Sequence, residues 1–242
     1  MKIVITQPTY LSWIGYYGLI DLADIFVFYD DVQFERRSWQ CRNKIINLNS
    51  KEGYQWLTVP IIHNGQQEKI NEVNINYSQK WQENHWKAIC HSYCKAPYFK
   101  KYADQIECIY NKKFNTISEL NICIIKEISK LIGVSCNNFI LSSDIKNVQG
   151  SKTDRLLSVI DNLNLDSEKQ YISSVKAKAY LEIEKFKNQG IDVYWFDYIH
   201  PQYNQMNTSF IPYLSILDLL FNEGDNSLDI IRKNLIDSLH LQ

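Results

Sequence analysis

The chain has 242 residues, of which 45% are hydrophobic and 13% aromatic, and this composition excludes an intrinsically disordered protein. Lys and Arg total 26 against 27 for Asp and Glu, so no overall charge attracts nucleic acid or an anionic membrane. The sequence has no apolar run of about 18 residues, and MKIVITQPTY reaches polar residues too early for a signal peptide. We therefore expect a cytoplasmic protein.

The first thirty residues predict a strand–helix–strand unit. Short apolar strands are expected at 2–5 and 25–29, with a loop from Thr6 to about Leu11 and a helix to Ala23 between them. This is the length of a right-handed parallel crossover.

Residues 30–50 have mixed polarity without a clean period, which predicts an irregular, functional loop. Segments 56–62 and 70–76 then predict the two strands of a hairpin. The pair Asn64-Gly65 between them favours a tight turn.

The segment from about 78 to 132 predicts a helical insertion. Its helices are expected at 78–95 with Ser78 as N-cap, at about 97–111, and at about 115–132 with Gly133 at the C-terminus. Strands and helices alternate afterwards, with strands at 137–143, 169–174 and 192–198 and helices at 151–164, 176–190, 213–222 and 228–239. The alternation predicts an α/β fold with a mostly parallel sheet flanked by helices, as a single domain over residues 1–242.

The six cysteines are scattered without a CxxC pair, so we expect no disulfide framework and interpret most of them as small buried apolar residues. His85, Cys90, His91 and Cys94 are zinc-type donors within one short segment. On a helix, however, His91 would point away from the other three, and no second ligand pair follows. We expect no structural metal and no organic cofactor.

Polar side chains follow nearly every predicted strand. The first strand is followed by TQPTY, the second by DDVQ, and later strands by SSD, SSVK and DYIHPQYNQ. In open α/β sheets, ligands bind beyond the carboxyl ends of the strands. The strand ends therefore predict a binding site at one edge of the sheet.

Asp30 and Asp31 follow an aromatic, apolar strand. One of them could cap a turn, while the other could bind ribose hydroxyls, hold a divalent cation or act as a base. Gln7 lies between the first strand and a proline, where its amide is placed to hydrogen-bond a ligand. Tyr10 and Trp13 are either ligand-facing aromatics or core residues at helical spacing.

A local cationic segment follows, in which the only acid is Glu35 and the cations are Arg36, Arg37, Arg42 and Lys44, interleaved with Trp39. Arginines bind diphosphates through bidentate hydrogen bonds, although a solvated loop face is the alternative interpretation. Lys152 at a predicted helix start would favour a phosphate. His85 and His200 are candidate general bases because imidazole titrates near neutral pH.

The sequence lacks GxGxxG, GxxxxGK[ST], GxSxG and HExxH motifs. Classical dinucleotide, P-loop, hydrolase-elbow and zincin chemistries are therefore disfavoured.

Short motifs in seven places resemble the WbqC-like family. They are QPTYLSWIGYYGLIDLADIFVFYDDVQF, Arg42-Asn43, WLTVP, a helix with HW followed by KAPYF, LSSD with a later lysine, HPQYNQ, and FIPYLSILDLLFNEG. The resemblance covers almost the whole chain and implies one WbqC-like domain. It also implies a link to bacterial O-antigen, capsule and other surface-glycan biosynthesis.

Carried over position by position, the family pattern falls on Gln7, Pro8, Tyr10, Trp13, Gly15, Asp30, Asp31, Gln33, Arg42, Asn43, His85, Tyr93, Ser142, Ser143, Lys152, Tyr203, Gln205, Ser215 and Asp218. From this set we predict catalytic roles for Asp30, Asp31 and His85. We predict substrate-binding roles for Gln7, Tyr10, Trp13, Gln33, Arg42, Asn43, Ser142, Ser143, Lys152, Tyr203 and Gln205.

Our first hypothesis is a transferase that places an acyl or aminoacyl group on a nucleotide-linked amino sugar. Its partners would be the nucleotide sugar and the acyl or aminoacyl donor, and nucleic acid would enter only if an aminoacyl-tRNA were that donor. One alternative is a non-catalytic scaffold of a glycan-synthesis complex. Another is an ATP-dependent, nucleotidyltransferase-like activating enzyme. Homo-oligomerisation stays open.

Overall fold

A computed structural model describes residues 1–62, 67–207 and 209–242. Its strands are β1 (Lys2–Thr6), β2 (Ile25–Phe28), β3 (Arg42–Ile46), β4 (Tyr54–Thr58), β5 (Ile61–Ile62), β6 (Asn74–Ile75), β7 (Phe139–Leu141), β8 (Lys169–Ser174), β9 (Ile191–Phe196) and β10 (Leu239–Leu241). Its α-helices are α1 (Ile14–Leu22), α2 (Trp81–Tyr93), α3 (Phe99–Tyr110), α4 (Ile117–Ile132), α5 (Lys152–Asp161), α6 (Ile183–Asn188), α7 (Ile216–Glu223) and α8 (Ser227–Arg232).

A six-stranded sheet with the order β10-β9-β8-β1-β2-β7 forms the centre of the molecule. Its neighbouring strands pair in parallel except for β10, which is antiparallel to β9. Helices cover both faces, with α1 and α4 in one hydrophobic core and α5 and α6 in the other. The predicted α/β fold and its parallel β1–α1–β2 unit are confirmed.

The predicted irregular loop over 30–50 is wrong for residues 42–46. These residues form β3, which pairs antiparallel with β4 in a register from Arg42 opposite Thr58 to Ile46 opposite Tyr54. Asn43 and Ile45 are buried while Arg42 and Lys44 alternate with them on the more open face. The cations on that face masked the two-residue period in the sequence.

The predicted hairpin is partly confirmed. Ile61 pairs with Ile75 and Ile62 with Asn74, but Trp56 pairs with Lys44 of β3. Pro60 lies between β4 and β5 and ends the pairing of β4, because proline has no N–H to continue the hydrogen-bond ladder. The predicted turn at Asn64-Gly65 lies outside the described residues.

Several predicted helix ends also need correction. The first helix of the insertion begins at Trp81, and Ser78 instead donates its backbone N–H to Asn76 Oδ1 at 2.9 Å. The predicted helix over 176–190 is a 3₁₀ segment at Val175–Ala179 followed by α6. The closing helix ends at Arg232, and the chain then supplies β10. The predicted stop at Gly133 is confirmed, with a left-handed φ of 81°.

All six cysteines are free thiols, and only Cys41 and Cys136 are fully buried, so the expectation that most are buried is wrong. Among the described residues, no helix has both the length and the apolar character needed to span a membrane.

Candidate functional site

The carboxyl ends of the parallel strands lie in one row. The register places Thr6 beside Phe28, Phe28 beside Leu141, and Ser174 beside Phe196. Neighbouring strands are about 4.8 Å apart, so the residues that follow these positions emerge at the same edge. We call it the carboxyl edge.

Asp30, which is only 1% exposed, lies in a dense hydrogen-bond network at this edge. Its Oδ1 accepts from the Ser142 hydroxyl at 3.0 Å and from the Ser143 backbone N–H at 3.1 Å. Its Oδ2 accepts from the Ser143 hydroxyl at 2.8 Å. A short 3₁₀ turn directly after β7 places both serines there. The structure thus brings three predicted site residues together.

Asp31 joins the same network through the Ser142 hydroxyl, at 2.5 Å. That hydroxyl has one proton, so it donates to Asp30 or Asp31 but not to both at once. The other oxygen of Asp31 accepts from Arg155 at 2.5 Å. The guanidinium of Arg155 also lies 5.8 Å from the ring of Tyr29. Sequence reasoning missed Arg155, because a single arginine on a helix gives no sign of a partner 124 residues away.

Gln7 leaves β1 with its amide held in one orientation. Its Oε1 accepts from Gln40 Nε2 at 2.8 Å, and Gln40 Oε1 in turn accepts from the backbone N–H of Glu35 at 2.9 Å. The Nε2 of Gln7 makes no hydrogen bond within the part of the chain that the structure describes. Gln7 therefore presents an N–H donor at the carboxyl edge.

Tyr10 and His85 lie in the protein interior. The Tyr10 hydroxyl lies 2.8 Å from His85 Nδ1 and 2.7 Å from the Tyr110 hydroxyl. Burial lowers the pKa of His85 to about 4, against a smaller opposing effect of a hydrogen bond to the Thr58 backbone. His85 is therefore neutral at pH 7. Among the described residues it makes no hydrogen bond to Asp30 or Asp31, and its catalytic role stays a prediction.

Trp13 lies in an aromatic cluster at the start of α1. Its ring stacks on His200 at 6.2 Å and packs against Tyr213 at 5.6 Å. His200 Nε2 accepts from the Tyr213 backbone N–H, so the proton of a neutral ring lies on Nδ1, which donates to the Pro201 carbonyl at 2.9 Å. Burial lowers the pKa of His200. This arrangement fixes the ring of His200 as a structural neighbour of Trp13.

Three further predicted residues lie apart from the carboxylate network. Asn43 is buried and donates to the carbonyls of Tyr10 at 3.2 Å and Leu11 at 2.7 Å, which holds Leu11 at a strained φ of 44°. Lys152 is exposed at the first position of α5, with a φ of 49°. Gln33 is exposed and forms an isolated β-bridge with Lys69.

A cationic cleft of about 660 Å³ lies beside β3 and β4. Its lining residues are Arg36, Arg37, Cys41, Arg42, Thr58, Val59, Pro60 and Ile61. Gln40, the partner of Gln7, directly precedes Cys41 of the cleft, so the segment that carries these arginines also contacts the residue that follows β1. Three predicted cations of the sequence thus share one concave surface.

Aromatic side chains border this cleft. Trp39 and Trp56 are 47% and 39% exposed, and their rings lie 5.4 Å apart. Arg42 stacks over Trp56 at 4.4 Å, and Lys44 lies over Tyr54 at 4.2 Å. Cross-strand pairing of β3 with β4 produces this surface, so it could not be predicted while residues 42–46 were interpreted as a loop.

Tyr203 and Gln205 surround a second buried carboxyl, that of Asp218. Asp218 Oδ2 accepts from the Tyr203 hydroxyl at 2.9 Å and from Gln205 Nε2 at 2.8 Å, while Oδ1 has no hydrogen-bond partner among the described residues. Burial raises the pKa of Asp218 to about 6, against smaller lowering effects of Tyr203, Gln205 and Tyr93. The predicted substrate-binding pair therefore supports a buried acid.

Within the described residues, no group of three or more His, Cys, Asp or Glu side chains is arranged to hold a metal ion. In the zinc-type segment of α2, His85 is buried whereas His91 and Cys94 are exposed.

The fold and the carboxyl edge define a doubly wound α/β protein with a polar site at its strand ends and a cationic cleft beside it. The chain belongs to the WbqC-like protein family, whose family model matches residues 7–230. It is 35% identical to the uncharacterized protein Rv1507c of Mycobacterium tuberculosis over 234 aligned residues. The alignment covers 96% of this chain and 97% of that protein. No solved structure matches the chain. The resemblance seen in the sequence is confirmed.

Proposed function

We propose that the protein is an enzyme of bacterial surface-glycan biosynthesis, such as O-antigen or capsule synthesis, that transfers an acyl or aminoacyl group to a nucleotide-linked amino sugar. The observation that carries this proposal is the cationic cleft with its two exposed tryptophans. A nucleotide sugar combines a dianionic diphosphate with flat base and sugar faces, and the cleft offers a complement to each.

The arginines of the cleft supply the charge. Arg36, Arg37 and Arg42 line one concavity, where guanidinium groups bind phosphate oxygens in pairs. Trp39, which is 47% exposed beside the cleft, supplies a ring against which a base or a sugar packs, and Trp56 packs under Arg42 and orients its guanidinium.

Acyl transfer to a sugar amine requires that the two substrates are positioned together and that a base accepts the amine proton. The neutral amine of the sugar attacks the carbonyl carbon of an activated donor, the donor's leaving group departs, and a carboxylate takes the amine proton. Asp30 and Asp31 at the carboxyl edge are the proposed bases. Asp30 is as buried as His85, so burial does not separate these two, whereas Asp31, whose side chain is 14% exposed, is the most accessible of the three predicted bases.

The test is a thermal-shift titration of the protein with nucleoside diphosphate amino sugars. Ligand at a hundred times its Kd stabilises the folded state by about 2.7 kcal/mol, which is readily measured as a rise in Tm. We expect Arg36→Ala and Arg42→Ala each to weaken binding about tenfold or more, which corresponds to about 1.4 kcal/mol.

Lys95→Ala is the matched control, because Lys95 is exposed at the end of α2 and lies outside the cleft. The proposal fails if none of the nucleotide sugars raises the Tm at millimolar concentration. It also fails if the control loses as much affinity as the cleft variants.

A further inference from the structure

The direction of winding in the main sheet reverses between β1 and β8. From β1 the chain adds β2 and then β7 on one side, and it returns to add β8 and β9 on the other side of β1. At such a reversal the loops that leave the two adjacent strands run to opposite faces of the sheet, which opens a crevice outside their carboxyl ends.

The packing of the helices agrees with this reversal. Tyr17 of α1 belongs to the core that contains Val4 of β1, whereas Leu157 of α5 belongs to the core that contains Ile5. The helices that follow β1 and precede β8 therefore cover opposite faces, as a doubly wound sheet requires.

The two loops at the reversal carry donors, cations and an aromatic ring. Gln7 follows β1 and presents its amide N–H. The 3₁₀ segment that follows β8 carries Lys176 and Lys178, and Tyr180 comes directly after it with 54% of its surface exposed. These are groups that bind acceptor oxygens and flat rings.

Tyr29, directly after β2, and Arg155 of α5 lie at the same edge on the β2 side. The Arg155 guanidinium lies 5.8 Å from the Tyr29 ring. The backbone N–H of Tyr29 donates to the Thr6 carbonyl at 2.9 Å, which holds it next to the end of β1.

Several acids near this edge are already paired with cations. Asp31 is paired with Arg155, and both Asp154 and Glu182 are paired with Lys185 at 2.7 and 3.2 Å. Lys178 lies over the Trp195 ring at 5.4 Å, and Lys176 makes no ion pair among the described residues, so Lys176 is the cation of the 3₁₀ segment that we assign to a ligand.

We propose that this crevice is a binding site for a nucleoside 5′-phosphate, separate from the cationic cleft. The phosphate oxygens accept from the Gln7 amide and pair with Lys176, and the base lies against Tyr180. The inference depends on the topology of the sheet and not on the reaction proposed above.

The test is isothermal titration of the full chain with ATP, UTP and inorganic tripolyphosphate. We expect both nucleotides to bind, and Lys176→Ala and Tyr180→Ala each to weaken their binding about tenfold. Both side chains are exposed, so unchanged circular dichroism and Tm are expected to show that these variants fold. Lys187→Ala is the matched control, because Lys187 is an exposed lysine on the following helix α6.

Arg36→Ala separates the crevice from the cleft. We expect it to leave ATP binding unchanged while it weakens nucleotide-sugar binding, so the two proposals can fail independently. Loss of ATP binding in Arg36→Ala together with normal binding in Tyr180→Ala would place the nucleotide in the cleft and overturn the inference. Tripolyphosphate binding as tight as ATP would overturn the nucleoside assignment, and so would the absence of nucleotide binding at millimolar concentration.

Discussion

The two buried carboxyl clusters differ in how their charge is compensated. At the carboxyl edge, Asp30 receives hydroxyl and backbone N–H donors on both oxygens, and Asp31 receives the Arg155 guanidinium on one oxygen and shares the Ser142 hydroxyl on the other. Within the described part of the chain, Asp218 has donors on one oxygen only, and burial raises its pKa to about 6. The comparison shows that burial with few donors raises the pKa of Asp218, whereas the first cluster surrounds its two acids with a guanidinium and several donors.

The largest expected effect comes from Arg155→Ala. It leaves Asp31 half-buried without its cation, and we expect the free energy of unfolding to fall by about 3 to 4 kcal/mol. This is the lower part of the range for buried pairs, because the two side chains are still 21% and 14% exposed. Urea denaturation measures the change. Lys185→Ala is the control, since its ion pairs are on the surface and we expect a loss below about 1 kcal/mol. Equal losses would contradict the comparison.

A second, somewhat smaller effect is expected from pH. Between about pH 4 and pH 6 the native protein keeps the Asp218 proton while the unfolded chain has released it, so this group lowers the free energy of unfolding as pH rises. The contribution is about 3 kcal/mol across that window. Asp218→Asn removes this contribution. The free energy of unfolding of the variant, measured by denaturation at several pH values in this range, should therefore rise with pH relative to that of the parent. An unchanged slope would show that Asp218 is not the titrating group.

His85 provides the opposite case. Its pKa is lowered to about 4, so between about pH 4 and pH 6.5 the unfolded chain holds a proton that the native protein lacks, and stability rises with pH. The two contributions nearly cancel in the parent. His85→Gln should therefore leave the falling contribution of Asp218 visible in the same denaturation series. If the free energy of unfolding depends on pH in the same way in the parent and in this variant, His85 is not a titrating group in this range.

The smallest changes in stability are expected from replacing two buried serines, Ser142 and Ser215, by alanine. The Ser142 hydroxyl accepts from the Asp30 backbone N–H and donates to one of the two carboxylates at a time, so Ser142→Ala should cost about 2 kcal/mol. Ser215 is equally buried, but its hydroxyl has no hydrogen-bond partner among the described residues, so Ser215→Ala should change stability by less than about 0.5 kcal/mol. Thermal unfolding of both variants measures the difference, and a larger loss for Ser215→Ala would reverse the comparison.

Much of the fold could be predicted from the sequence, because its strands and helices carry their own periodic signals. β8 matches its predicted bounds, and α4 ends at a glycine in the left-handed conformation. The β3–β4 ribbon and β10 could not be predicted in the same way. They are short strands whose pairing depends on tertiary neighbours, and the cations of β3 hide its alternation.

The site was predictable only where polar residues follow a strand directly. Asp30 and Ser142 fit that rule, and the structure joins them across 112 positions of the chain. Arg155 and Gln40 do not follow a strand, and their roles come from contacts with Asp31 and Gln7 that no local pattern announces.

Gly15 explains why the first helix can begin with a cluster of large rings. A Cβ atom at this position would lie 2.4 Å from the Trp13 ring, well inside the distance at which carbon atoms repel. The indole of Trp13 thus packs directly on the backbone of the first turn. A methyl group at this position would push the indole away from His200 and Tyr213, so the missing side chain at Gly15 keeps Trp13 in its aromatic cluster.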